Sequence, residues 1–185
     1  MADYPAELER EVVLRDGARV RLRPIRGEDA SRLIAAYDRL SQYTAYQRFF
    51  ATMKRLPPDW AHLLAHVDYH RRLALLAEVG PADDPELIGV ARYEPTEQPD
   101  TAEIALVIQD GWQNRGIGAI MLDALLAAGE ARGHRYFRAF VLSSNARMLG
   151  LLARRTDVKE RRAASGVVEL LLTRRGGPTP PAVTT

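Results

Sequence analysis

The spacing of apolar and polar residues changes period several times along the chain, and those changes lay out its elements. Residues 12–25, VVLRDGARVRLRPI, hold two β-like runs around Asp16-Gly17, a hairpin turn signal. Glu28 and Asp29 open EDASRLIAAYDRL, where Leu33, Ile34, Tyr37 and Leu40 fall at helical spacing. SQYTAYQRFF (41–50) predicts a short second helix with Ser41 as N-cap. Pro57 and Pro58 break the chain, and 58–70 predicts a third helix with proline early and Asp59 in its first turn. Strands follow at 72–80 and 86–95, separated by the loop PADDP, and an alternating strand runs over 101–110. After a glycine-bearing turn, an apolar helix reaches Arg132 and is stopped by Gly133. The rest predicts a strand at 136–142, a helix at 145–155 and a hairpin at 158–173.

This order predicts an α/β domain, a mixed sheet with helices on both faces and no internal repeat. Strand 101–108, helix 116–132 and strand 136–142 form one strand–helix–strand unit, so the two strands are expected to be parallel neighbours. A single domain is expected over 11–175, after an N-terminal extension at 1–10. The segment 176–185 has no core-forming residue and is expected to be disordered.

Composition narrows the function classes. With 185 residues and 46% hydrophobic content, the chain is long and apolar enough for a sizeable core. The net charge of +2 is small and scattered, which gives no footprint for a nucleic acid. There is no cysteine, which removes disulfides, cysteine-based zinc sites and an acyl-cysteine intermediate. No apolar run approaches the ~20 residues that cross a bilayer, and MADYPAELERE lacks a signal-peptide core, so a cytoplasmic location without a membrane partner is expected. Of the 26 basic residues, all but Lys54 and Lys159 are arginine. Codon bias accounts for this, as would a need for few amines near a reactive acyl donor.

The turn Gln113-Asn114-Arg115-Gly116-Ile117-Gly118 leads into the long apolar helix. The first N–H groups of a helix lack intrahelical partners and carry partial positive charge. Glycines admit a ligand close to that backbone, and an arginine adds a forked donor suited to phosphate. A pyrophosphate site and a merely flexible strand-to-helix turn both fit. A dinucleotide motif is excluded by Met121 where its third glycine belongs, and a P-loop by the missing G-K-[ST].

Residues 113–118 resemble the [RQ]-x-x-G-x-[GA] acyl-CoA pyrophosphate loop of the GCN5-related N-acetyltransferase (GNAT) superfamily, and the order of elements over about 11–173 resembles that fold. More narrowly, RDGARVRLRPIRGEDASRL, LSQYTAYQRFF and AEIALVIQDGWQNRGIG resemble the acetyltransferase domain of bacterial Pat-type protein lysine acetyltransferases. The resemblance implies a mixed, mostly antiparallel sheet whose fourth and fifth strands are a splayed parallel pair. It implies acetyl-CoA as cosubstrate, no metal, and a protein presenting a lysine as acceptor. The backbone of Gln113, Asn114, Arg115, Gly116, Ile117 and Gly118 would bind the pyrophosphate, with Arg115 assisting. Backbone groups of Ile108 and Gln109 would hold the acyl carbonyl, and Asn145 would contact the cofactor.

A lysine amine, with an ordinary pKa near about 10.4, must lose a proton before attack. Glu103 is the candidate base. Alternation places it with Ala105 and Val107 on one face, opposite Ala102, Ile104, Leu106 and Ile108. The Pat-type resemblance puts its catalytic glutamate at the same position. Asp110 is the reserve base or a turn residue. Many relatives carry an acidic tyrosine seven residues after the asparagine; here that position is Leu152, leaving water, with Ser143 or Ser144 to position it. His62, His66 and His70, four apart on the expected third helix, have a spacing that can present two metal ligands, but surface histidines fit equally. Tyr43, Tyr46, Phe49 and Phe50 are expected mainly in the core, or, with Arg48, beside an incoming lysine. Two alternatives stand: a small-molecule amine or amino-acid acetyltransferase, and a catalytically weak acyl-CoA-binding regulatory module.

Overall fold

The computed structural model describes residues 3–176. Eight strands form one sheet: β1 (Arg10–Val13), β2 (Arg19–Pro24), β3 (Leu73–Val79), β4 (Glu86–Pro95), β5 (Thr101–Ile108), β6 (Tyr136–Leu142), β7 (Thr156–Ala164) and β8 (Val167–Arg174). Their spatial order is β1-β2-β3-β4-β5-β6-β8-β7, antiparallel throughout except for β5/β6. The expected parallel pair is therefore present in the expected residues, but as the fifth and sixth strands. The N-terminal hairpin supplies two strands ahead of β3 and shifts the count. That hairpin turns at Gly17, whose φ is +85°, and is closed by Asp16 Oδ1 accepting from Ala18 N–H at 3.0 Å.

Five helices pack on the sheet: α1 (Ala30–Asp38), α2 (Gln42–Phe49), α3 (Pro58–Ala65), α4 (Ile117–Ala131) and α5 (Ala146–Arg155). One core layer lies beneath α4, with Met121, Leu122 and Leu125 against Tyr93 and Phe137. The other lies beneath α1–α3, with Leu33, Tyr37 and Ala61 against Ile25 and Leu76. Sheet alternation feeds both layers. In β5, Ala102, Ile104 and Ile108 belong to the α4 side, while Glu103, Ala105 and Val107 point the other way. Gly129 is required for this packing, since a Cβ there would lie 2.7 Å from a Phe137 ring carbon.

Local signals terminate the elements as their chemistry demands. Ser41 Oγ accepts from Thr44 N–H at 3.1 Å, the predicted cap of α2. After α4, His134 N–H reaches Gly129 O and Gly133 N–H reaches Glu130 O, both at 3.0 Å, the paired bonds of a glycine-stopped helix. The third helix, by contrast, ends at Ala65 and not near residue 70. Asp68 Oδ1 accepts from the N–H groups of His70 and Arg72, each at 2.9 Å, and turns the chain into β3. The expected N-terminal extension is also partly folded in: Tyr4 meets Tyr69 edge-on at 5.7 Å and donates to Glu9 at 2.6 Å. A buried ion network fixes α1 to the sheet, with Arg23 bonding both Glu78 (2.7 Å) and Asp29 (2.7 Å). The expected disordered tail lies, beyond Gly176, outside the described residues.

Candidate active site

β5 and β6 pair over only three positions, Thr101 with Tyr136, Ala102 with Phe137 and Glu103 with Arg138. Beyond them β5 stays on β4 as far as Ile108, while β6 continues on β8 as far as Leu142. The parallel pair therefore opens into a V. A cavity of about 840 Å³ occupies the opening, bounded by 103–108, by Ala139–Val141, by the glycine loop and by Met148 and Leu151 of α5.

The glycine loop forms one end of this cavity. Asn114 and Gly116 have φ of +61° and +90°, and Gly116 is the residue before α4. No atom lies within 4 Å of where a Cβ of Gly116 would be, so the backbone there is bare on its open side. The first bond of the helix is Ile120 N–H to Gly116 O at 3.3 Å, which leaves the N–H groups of Ile117, Gly118 and Ala119 ahead of the hydrogen-bonded turns. These donors, with the helix dipole, suit a phosphate group. Arg115 stacks on Trp112 at 3.9 Å and its Nε donates to Asp16 Oδ2 at 2.6 Å, which leaves its two terminal nitrogens for an anion.

The structure separates the remaining cofactor candidates. Gln113 lines the cavity and its side chain bonds Ile108 O (3.0 Å), Thr44 Oγ1 (3.3 Å) and Arg147, so it ties the loop to β5, α2 and α5. Gln109 N–H is taken up by Ile88 O at 2.8 Å and its side chain by Ala36 O at 2.7 Å. Gln109 thus faces β4 and α1, away from the opening, and lines a separate pocket of about 50 Å³. Amide directions alternate along a strand, so the N–H of Ile108 points the other way, into the V. Asn145 lines the cavity, but its Oδ1 accepts from Met148 N–H at 3.1 Å and caps α5.

Glu103 stands at the apex of the V, exposed, on the face shared with α2. Burial pushes its carboxyl above the usual range and the nearby Glu94 adds to this, while Arg48 and Arg138 pull against them. Arg48 of α2 is half-buried, 4.8 Å from the Phe49 ring, and is pushed down to about 10 by burial and by Arg92. Asp110, the reserve base, has a different task. Its carboxylate accepts from Ser41 N–H (2.9 Å), Ser41 Oγ (2.7 Å) and Thr44 Oγ1 (2.7 Å). Burial works against its charge, but these bonds outweigh it and hold the carboxyl below the usual range. A carboxylate so engaged is an anchor for the start of α2, a poor proton acceptor.

Other sequence candidates fall elsewhere. Leu152 is 2% exposed and packs in the core, so no acid replaces the missing tyrosine at that position. Ser143 and Ser144 are exposed in the turn before α5. His62 and His66 stack at 3.8 Å, but the early end of α3 puts His70 off that helix; no group of three metal-ligating side chains occurs among the described residues. Of the aromatic cluster only Phe49 packs inward, edge-on to Tyr37 at 5.5 Å; Tyr43, Tyr46 and Phe50 are exposed. The expectation of a core cluster fails because α2 rests on the sheet through Thr44 and Ala45, leaving its aromatic side outward. Sequence reasoning missed Thr44, Asp16 and Glu94. Only Glu94 had a local signal, as a carboxylate on the strand beside that of Glu103.

A mixed sheet opened into a V, with a bare helix N-terminus at one end and a carboxylate at the apex, is the architecture of the acetyltransferase class to which the family match assigns it. The chain matches the model of the acetyltransferase (GNAT) family over residues 36–156 and belongs to that family. It is 36% identical to the GNAT domain of S. lividans PAT, with a TM-score of 0.83 over 92% of this chain and 99% of that one. It is 29% identical over 138 residues to acetyltransferase PA5475 of Pseudomonas aeruginosa, 75% of this chain and 74% of that protein. It is 30% identical over 145 residues to acetyltransferase Pat of Mycolicibacterium smegmatis, 77% of this chain and 42% of that longer protein.

Proposed function

We propose that this protein transfers the acetyl group of acetyl-CoA directly to an amine, the side chain of a lysine on a protein surface, with Glu103 as general base. The observation that carries the reading is the position of Glu103 at the apex of the V, in the same cavity as the glycine loop. We propose residues 11–175 as the single catalytic domain and the cytoplasm as its location, in keeping with the absence of cysteine. No helix among the described residues is long and apolar enough to cross a membrane.

Acetyl-CoA supplies, when bound, an electrophilic thioester carbonyl and a thiolate leaving group. The bare backbone at Gly116 and the free N–H groups of Ile117, Gly118 and Ala119 fit its pyrophosphate, and Arg115 adds charge. The Ile108 N–H, directed into the V, is the group to hold the acyl carbonyl. Glu103 accepts one proton from the ammonium nitrogen, the freed lone pair forms the C–N bond as the C–S bond breaks and its electron pair leaves on sulfur, and the second nitrogen proton is released to water. The thiolate takes its proton from water, since Leu152 offers none. A protein acceptor is supported by the Pat-type resemblance and by exposed Phe50 at the end of α2, which lines the same cavity as Glu103. One observation favours the amino-acid alternative: Arg48 has no hydrogen-bond or ion-pair partner among the described residues, and such an arginine suits a substrate carboxylate.

The test is thiol release from acetyl-CoA, read with a colorimetric thiol reagent to which a cysteine-free enzyme contributes no background. Wild type and Glu103→Gln are compared on an acyl-CoA synthetase protein and on a panel of small amines. Turnover on the protein alone, sharply lower in the variant, supports the reading. Turnover on amines alone replaces the acceptor, and acetyl-CoA binding without turnover on either leaves a regulatory module.

A further inference from the structure

Glu94 and Glu103 are directly opposite each other on the antiparallel β4/β5 ladder, so their side chains share a face. Like charges opposed in this way destabilise a sheet. Their surroundings differ sharply. Glu94 receives Arg72 Nε at 2.6 Å and Arg92 Nε at 2.9 Å, whereas Glu103 has no hydrogen-bond partner among the described residues. Arg92 is itself 3% exposed and is fixed by donating to Leu64 O of α3 at 3.1 Å. Burial works against the charge of Glu94, but the two guanidinium groups outweigh it and keep the carboxyl below the usual range. Two carboxyls set side by side in unequal environments are pushed in opposite directions, which is how a fold obtains one permanent anion and one working base.

We infer that Glu94 is a positioning residue for the transfer: clamped by Arg72 and Arg92 across the ladder from Glu103, its fixed negative charge keeps Glu103 reluctant to ionise and hence basic enough to deprotonate the incoming amine. This rests on Glu103 as the base. The charged groups facing Glu103 are Arg48 from α2, Arg138 from β6, and Glu94 with Arg92 from β4. Arg138 is drawn aside by Glu169 at 3.3 Å and Gln98 at 3.1 Å, no carboxylate pairs with Arg48 among the described residues, and Glu94 is the anion fixed directly across the ladder from Glu103. Without it, the pull of Arg48 and Arg138 on Glu103 would lose its opposing charge and favour the charged, weakly basic form.

The experiment is the pH profile of kcat/KM with an amine acceptor, for wild type, Glu94→Gln, Arg72→Gln and Glu103→Gln, joined to a carboxyl-carbon NMR titration of Glu103 in the first three. Glu94→Gln is expected to move the acidic limb and the Glu103 titration down by about one pH unit or more. Arg72→Gln, which removes a clamp and leaves the anion, is expected to move both upward, and it tests the idea even if Glu94→Gln does not fold. Loss of structure alone would not produce opposite shifts. Unmoved Glu103 titrations in both variants overturn the inference while leaving Glu103 as base. An acidic limb that survives in Glu103→Gln overturns the base reading itself, and the role of Glu94 with it.

Discussion

Thr44 Oγ1 donates to Asp110 Oδ1 at 2.7 Å, joining α2 to the turn that precedes the glycine loop, 66 residues along the chain. Through this contact and Gln113 Nε2 at 3.3 Å, α2 and the glycine loop are held as one unit. Asp110→Ala is expected to lower stability by about 1 kcal/mol, the scale of a partly exposed hydrogen-bond cluster. It is also expected to raise the KM for both substrates. The acidic limb of the pH profile should stay where it is, because Asp110 is an anchor. Thermal melting and a pH series measure the two, and a limb abolished in Asp110→Ala would make Asp110 the base.

Glu103→Gln separates activity from stability. The loss of a general base is expected to cost about 100-fold or more in kcat. Folding raises the pKa of Glu103, so its contribution to stability is fully present below the unfolded carboxylate range and is lost as pH rises through the raised value. Its charge, opposed to Glu94, therefore weighs against the fold at neutral pH. The variant should melt about 1–3 °C higher at pH 7, with the gain absent at pH 4. A variant that is both inactive and less stable at pH 7 would mean that Glu103 holds the apex together structurally.

Much of this was legible in the sequence, and the reasons are local. Ser41 as a cap, the Gly133 stop and the 101–108/136–142 parallel pair follow from capping chemistry and from the strand–helix–strand order. The place of the glycine turn ahead of α4 and the face that Glu103 takes on β5 follow from motif and alternation. What escaped depends on partners far apart in sequence. The hydrogen bonds that engage Asp110 come from Ser41 and Thr44, and those that turn Gln109 away from the opening go to Ile88 and Ala36. The exposed aromatic side of α2 misled for the opposite reason, since helical spacing indicates a face without saying which way it points.

Gly116 and Gly118 should differ in their tolerance of alanine. The φ of +90° at Gly116 is strained for any side chain, and Gly116→Ala is expected to lose about 1–2 kcal/mol and to raise the KM for acetyl-CoA. A Cβ at Gly118 would meet Leu151 at 3.5 Å and Leu106 at 3.8 Å, ordinary contact distances, so Gly118→Ala should fold with unchanged or slightly higher stability. Equal losses of melting temperature would show that the loop conformation differs from the one described.

Arg115 is expected to serve the donor alone. Arg115→Gln should raise the KM for acetyl-CoA by about 10-fold, the scale of one charge-assisted hydrogen bond, with kcat little changed. Asp16 competes with an anion for the same guanidinium at 2.6 Å. Asp16→Asn should therefore lower that KM by about twofold, within the range of an exposed ion pair, and less so at high salt. Steady-state kinetics at two ionic strengths checks both variants, and a higher KM in Asp16→Asn would show that the carboxylate orients Arg115 more than it competes.

His134 gives the fold a sensitivity to acid. It is 6% exposed, both ring nitrogens are buried without hydrogen-bond partners, and Tyr93 lies edge-on at 5.0 Å. Burial holds its pKa below the ordinary histidine value. Folding thus favours the neutral ring, and below about pH 6.5 the unfolded chain binds a proton that the folded chain refuses. Stability is expected to fall as pH drops through that window. His134→Leu, of similar volume and with no polar atoms to bury, should raise the melting temperature at pH 7 and flatten its decline between pH 6.5 and 5. Melting curves across that range decide the matter. An unchanged slope in the variant would assign the acid sensitivity to the carboxylate network around Arg23 instead.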